Sequence, residues 1–195
     1  MRRKGTNAVR IIGGAWRSRL VRFPDAADLR PTPDRVRETL FNWLGQDLSG
    51  KRCLDLFAGS GALGFEALSR GAAEVVMVET SRAAHSALRE SATRLGAGGR
   101  LRLVHGDALH FIATSGHSGY DIVFVDPPYG SGLAGEALAR LPRVLASGGI
   151  VYVESDSPLA LDPPWRERRH GRAGAVHYRL IEWGGHDDGS LSGHI

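Results

Sequence analysis

The stretch Tyr120-Asp-Ile-Val-Phe-Val-Asp126-Pro127-Pro128-Tyr129 decides how this chain of 195 residues folds. A short apolar run, Ile122 to Val125, stops at a carboxylate, two prolines and an aromatic ring. Such a run, without polar alternation, marks a strand covered on both faces, as in a parallel sheet. Two consecutive prolines fix φ and remove both backbone N–H donors, so the strand must end there. Its carboxyl end then presents a carboxylate, carbonyl oxygens with no competing donors, and a flat ring. That cluster can accept both hydrogens of an amino group while the ring stacks on the heterocycle that carries it.

Working outward, the chain alternates strand and helix from Lys51 onward. Strands are predicted at 52–57, 74–79, 101–105, 121–125 and 149–154, and helices at 62–70, 81–95, 107–113 and 132–145. Alternation of this kind indicates parallel strands joined by right-handed crossovers, an α/β doubly wound sheet. After Glu154 the helical pattern ceases. Trp165 to Arg172 and Ala175 to Trp183, separated by Gly171 and Gly174, read as a closing antiparallel pair.

Upstream of Lys51, Val9 to Ile12, Gly13-Gly14 and Trp16 to Val21 read as a hairpin turned at the glycines. Its alternation would put Arg17 and Arg19 on one face and Trp16, Ser18 and Leu20 on the other. Arg30-Pro31-Thr32-Pro33-Asp34 announces a helix with Thr32 as N-cap, Pro33 at the first position and Asp34 at the positive end of the dipole. Val36, Leu40, Trp43 and Leu44 recur at helical spacing and should pack, with Arg35, Arg37 and Glu38 turned elsewhere. Three regions follow: a basic hairpin and helix extension over 1–50, a main α/β domain over 51–183, and a disordered tail over 184–195.

Asp55-Leu-Phe57-Ala58-Gly59-Ser60-Gly61-Ala-Leu-Gly64 follows the first strand of the alternating region and opens a helix. Glycines let a backbone approach a ligand closely, and a helix N-terminus favours an anion. Glu79 ends the next strand, at a spacing suited to a ribose hydroxyl pair. These features fit a dinucleotide as well as S-adenosylmethionine, and a P-loop motif is absent. Asp107 follows the third strand and Asp126 ends the fourth. In an open α/β sheet such carboxyl ends line one crevice. Four acidic groups around one cleft repel unless a cation compensates, and a sulfonium carrying an ammonium group would do so. A dinucleotide offers no comparable use for Asp126 and its prolines.

Hydrophobic content of 42% and charged content of 24% suit a globular protein rather than a membrane span or a disordered chain. Met1-Arg-Arg-Lys-Gly is not followed by the apolar segment of a secretory signal, and the single cysteine excludes an internal disulfide. A reducing cytoplasm is therefore expected, with Cys53 a buried structural thiol. The eight histidines show no metal spacing beyond His105 and His110, so no metal is expected. The net charge of +4 conceals an imbalance, +7 over residues 1–52 and −3 over the rest. Residues 1–24 carry Arg2, Arg3, Lys4, Arg10, Arg17, Arg19 and Arg22 and no acidic residue, a footprint for a polyanion.

Together these pieces resemble the bacterial RsmD family. The resemblance rests on Arg10-Ile-Ile-Gly-Gly14, the run from Leu29 through Arg30-Pro-Thr-Pro-Asp-Arg-Val-Arg-Glu38 to Trp43, Leu54 to Gly64 with Glu66-Ala-Leu-Ser-Arg-Gly71, and Asp121 to Tyr129. Fainter echoes lie in Tyr152-Val-Glu154 and Tyr178-Arg-Leu180. The glycine motif and Asp-Pro-Pro-Tyr are shared by many amino-group methyltransferases; the helix after Pro31 is specific to this family.

The resemblance implies a class I S-adenosylmethionine-dependent methyltransferase with a Rossmann-like seven-stranded sheet. Its reaction would methylate the exocyclic N2 of one guanine, of the position 966 type, in 16S ribosomal RNA. The partner would be the 30S subunit or its assembly intermediate, with the enzyme a monomer and no membrane involved. Asp126, Pro127, Pro128 and Tyr129 would be catalytic. Asp55, Phe57, Ala58, Gly59, Ser60 and Gly61 would hold S-adenosyl-L-methionine about its methionine portion, Glu79 its ribose, and Asp107 and Ala108 its adenine. Arg10, Arg17 and Arg19 would meet RNA, as would Arg35 and Arg37, for which a clamp on the cofactor cleft or an ion pair with Glu38 stays open. The competing readings are methylation of adenine N6 or a glutamine amide, a dinucleotide oxidoreductase, and a non-catalytic ribosome-assembly binder.

Overall fold

A computed structural model describes residues 6–25, 31–116, 119–156 and 159–185. The expectations for Arg2, Arg3, Lys4, Leu29 and Arg30, and for a tail beyond residue 185, lie outside the described residues. Nine strands and five α-helices are found among them. The alternating region runs β3 (Arg52–Asp55), α2 (Ala62–Ser69), β4 (Glu74–Glu79), α3 (Arg82–Leu95), β5 (Leu101–His105), α4 (Ala108–Thr114), β6 (Tyr120–Val125), α5 (Leu133–Arg140) and β7 (Leu145–Ser155). Two closing strands follow, β8 (Trp165–Ala173) and β9 (Val176–Trp183). They complete a seven-stranded sheet in the order β5-β4-β3-β6-β7-β9-β8. The first five are parallel, and β9 enters antiparallel between β7 and β8.

The order reverses between β3 and β6, which pair directly. Their carboxyl ends therefore open the crevice that this topology reserves for ligands. Ile122 to Val125 are at most 4% exposed, because successive side chains point into two different cores. Phe124 packs with α2 and the N-terminal elements, whereas Val123 and Val125 pack against α4 and α5.

Several boundaries move for identifiable reasons. The helix expected over 132–145 ends at Arg140, because Pro142 has no N–H to continue it, and a 3-10 turn over Leu141–Arg143 leads into β7 four residues early. Gly171 is within β8 rather than between strands. The Tyr178 ring covers it, and a Cβ there would lie 2.3 Å from that ring. The reversal is made at Gly174, φ +62°.

The N-terminal hairpin exists, but its strands are β1 (Thr6–Arg10) and β2 (Leu20–Pro24). Residues 14–16 form a 3-10 turn, so the alternation expected over 16–21 fails: Trp16 is buried and Leu20 is 47% exposed. Gly14, φ +73°, touches α2 so closely that a Cβ would sit 1.9 Å from the Ser69 carbonyl oxygen. Glu66, in α2, accepts from the Ile12 and Gly13 N–H groups at 2.9 and 2.7 Å. Helix α1 (Asp34–Leu44) packs on the same side of the sheet, with Phe41 against Phe124 and Trp43 against Tyr178. The extension and the sheet thus share one core.

Candidate active site

A cleft of about 580 Å³ opens at the carboxyl ends of β3, β4 and β6. Its lining includes Asp55, Phe57, Ala58, Gly59, Ser60, Glu79, Asp107, Ala108, Asp126, Pro127, Pro128 and Tyr129. The four strand-end acids and the Asp-Pro-Pro-Tyr cluster are therefore brought together. Gly61 is not on the wall. It is the left-handed N-cap of α2 (φ +80°), and a Cβ there would run into Phe65 and Leu88. Its glycine is required by the packing of the helix start rather than by a ligand's approach.

Three of the four acids are oriented by backbone donors. Asp55 Oδ2 accepts from Gly64 N–H at 3.1 Å, across a helix start so close that a Cβ on Gly64 would meet Met77. Glu79 accepts from Gly59 N–H at 2.8 Å through one oxygen and from Ser81 N–H at 2.6 Å through the other. It thereby ties the glycine turn to the end of β4. Asp107 caps α4 through His110 N–H at 2.8 Å and still faces the cleft.

Thr32 lines the cleft and Glu154 lies behind Asp126, and neither role was read from the sequence. Thr32 does not cap α1; Pro33 occupies the cap position and makes no side-chain cap bond. The Thr32 hydroxyl instead donates to Asp126 Oδ2 at 2.9 Å. Glu154, 2% exposed, stands level with Asp126 because Val125 pairs with Val153. It shares a hydrogen bond with Asp126 and accepts the Tyr152 hydroxyl at 2.7 Å. A signal for Glu154 was present: an acid at the carboxyl end of a central parallel strand, the rule that identified four others, also holds at β7.

Burial pushes both Asp126 and Glu154 up, Glu154 further because it also faces the Asp126 charge. Two carboxylates in contact cannot both ionise cheaply, so the pair retains a proton near neutrality, on Glu154. Asp55 is pushed up to about 7, by burial first and then by the nearby Asp126 and Glu79 charges. A cation entering between these acids would relieve all three. The wall thus fits a sulfonium with an ammonium group: concave, acidic, with a glycine turn for close approach. Among the described residues no group of His, Cys, Asp or Glu could hold a metal ion. Cys53 is fully buried, its thiol pushed up to about 12 by that burial.

The arginines separate. Arg10, Arg17 and Arg35 present exposed side chains. Arg19 donates to the carbonyls of Arg94 and Leu95, the C-terminal end of α3, where a cation is favoured. Arg37 requires a correction. It is fully buried, paired with Glu66 at 3.3 Å and Asp34 at 2.5 Å, and bonded to the Thr32 and Arg10 carbonyls. It therefore offers nothing to RNA; it ties the approach to Thr32 onto α2. Neither does it pair with Glu38.

The sheet order, the acidic crevice at its switch point and the Asp-Pro-Pro-Tyr end of β6 define a class I methyltransferase fold. Residues 9–182 match the family model described as "Conserved hypothetical protein 95", and the chain belongs to this family, the RsmD family of the sequence reading. It is 45% identical over 183 residues to "Ribosomal RNA small subunit methyltransferase D" of Escherichia coli strain K12, covering 91% of each chain. The protein of the same description from Haemophilus influenzae is 38% identical, covering 89% of this chain and 93% of that one. Among solved structures, "Putative methyltransferase yhhF" from Escherichia coli superposes with a TM-score of 0.81 at 44% identity, covering 91% and 98%.

Proposed function

We propose that this protein uses S-adenosyl-L-methionine to methylate the exocyclic N2 of one guanine in 16S ribosomal RNA. The observation that carries the reading is Asp126, held by Thr32 and Glu154 in an acidic cleft whose lining also includes Pro127 and the exposed Tyr129. The family membership and the relatives' description as small-subunit ribosomal RNA methyltransferases support the RNA class.

S-adenosylmethionine supplies an electrophilic methyl group on a sulfonium. Asp55 and the turn through Gly59 and Ser60 would hold its methionine end, Glu79 its ribose hydroxyls, and Asp107 with the Ala108 N–H its adenine. Amino nitrogen on guanine is a poor nucleophile because its lone pair is delocalised into the ring. Asp126 and the Pro127 carbonyl each accept one N–H, which turns the lone pair towards the methyl. Pro127 and Pro128 lack N–H groups, so no backbone donor competes at that corner. Tyr129, 54% exposed, stacks on a base taken out of its RNA context. As the nitrogen becomes cationic, the Asp126 carboxylate stabilises it and then takes its proton. Its raised proton affinity suits that step. Positioning and charge stabilisation supply most of the rate.

The enzyme would act as a monomer on the 30S subunit or its assembly intermediate. Among the described residues no helix is long and apolar enough to cross a membrane. Incubating small-subunit RNA with labelled cofactor, then identifying the modified nucleoside, tests the reading. N2-methylguanosine is expected; N6-methyladenosine would replace the guanine reading with the adenine one.

A further inference from the structure

Strand β8 runs Trp165-Arg-Glu-Arg-Arg-His-Gly-Arg-Ala173 along the outer edge of the sheet. Four arginines and a histidine face one glutamate, a concentration masked by the −3 charge of residues 53–195. The nearby acids are already engaged: Glu182 pairs with Arg168 at 3.1 Å, and Glu167 with Arg179 at 3.4 Å. Arg169 and Arg172 are exposed and have no carboxylate partner among the described residues. Each is held by one carbonyl, Arg168 O at 3.1 Å and Gly174 O at 2.8 Å, which leaves further N–H groups pointing outward.

The register brings this edge to the catalytic rim. Arg172 pairs with His177 on β9, and His177 with Ser155 at the end of β7. The next residue, Asp156, accepts from Gly130 N–H at 2.7 Å and so holds the loop that carries Tyr129. From β6 to β8 is three strand spacings, about 14 Å. The His170 and His177 rings stack, with centroids 5.5 Å apart and ring nitrogens at 3.3 Å. Burial first, then the neighbouring Arg172, His170 and Arg179, lower the proton affinity of the His177 ring.

The N-terminal hairpin rests on α3, over the β4 and β5 half of the sheet. The β8 edge lies at the other end, with the cleft between them. We propose that the β8 edge, with His170, Arg172 and His177 on one face of the sheet and Arg169 on the other, forms a second docking surface for RNA phosphates. It grips the backbone on the side of the target base opposite the hairpin. Phosphate contacts carry no sequence information but fix register and orientation, which a single flank cannot do. The proposal rests on the reading of RNA as substrate.

The test compares the wild type with Arg169→Ala/Arg172→Ala and Arg169→Lys/Arg172→Lys. Small-subunit RNA serves for both binding against salt and methyl transfer. The alanine pair is expected to raise KM about tenfold and to flatten the slope of log affinity against log salt by about 1.4 to 1.8, with kcat and cofactor affinity unchanged. The lysine pair should restore the slope. An unchanged slope and KM overturns the surface, as does a fall in kcat with the slope intact, which would make the edge structural. Slope loss in a protein that binds RNA but transfers no methyl to it would instead sink the guanine-methylation reading and leave the surface standing.

Discussion

Asp126 is useful because three neighbours decide where its lone pairs point. Thr32 holds Oδ2, Glu154 lends a hydrogen bond from β7, and Pro127 leaves the remaining face to a substrate amino group. Asp126→Ala should lower methyl transfer about 100-fold or more while cofactor affinity stays within a few-fold, read by single-turnover transfer and calorimetry. The acids also set a pH dependence whose sign is fixed. Asp55, at about 7 against an ordinary 3.8, binds more protons folded than unfolded, and Asp126 and Glu154 are raised likewise. Their contribution to stability is therefore full at low pH and lost as pH rises through the folded values. The ligand-free protein should melt at a higher temperature at pH 6 than at pH 8.5, and Glu154→Gln should flatten that difference. A melting temperature that rises over this interval would contradict the assignment. Asp55, Glu79, Asp107 and Asp126 were legible in the sequence because each ends a strand, or follows one, in a pattern of known topology. Thr32 was not, because a threonine before a proline and an aspartate looks like a helix cap. Only tertiary packing shows that its hydroxyl has a better acceptor 94 positions away.

At the scale of elements, the parallel core was readable because buried strands and amphipathic helices have distinct periods. The hairpin was misread in register. Gly13 and Gly14 are required by the approach to α2, a contact between residues more than fifty positions apart, rather than by a two-residue turn. Arg37 illustrates the same limit. Nothing local distinguishes an arginine that meets solvent from one that threads between Glu66 and two carbonyls. The element that delivers Thr32 depends on it, so Arg37→Ala should destabilise the fold by about 3 kcal/mol or more, measured by denaturant unfolding. Arg35→Ala, on the exposed face of α1, should change stability by less than about 0.5 kcal/mol. Equal effects of the two substitutions would show that the buried network does not anchor the helix.

The whole molecule presents charge unevenly. Residues 1–52 carry +7, and the hairpin and α1 within them pack on the α2 and α3 side of the sheet, with the acidic cleft beyond. On the proposed reading, phosphates would be drawn to the flanks and a cation to the centre. Arg10→Ala/Arg17→Ala should flatten the salt dependence of RNA binding, whereas Arg19→Ala, at the end of α3, should act on stability instead. The proposed reaction depends on a guanine amino group being delivered to Asp126 in the cleft. Its most direct test is methyl transfer from labelled cofactor into 16S ribosomal RNA, with the modified nucleoside mapped by mass spectrometry for wild type and Asp126→Asn. N2-methylguanosine is expected at one position with the wild type and next to none with the variant. Label on another base, or the same label from the Asn variant at an undiminished rate, would contradict it.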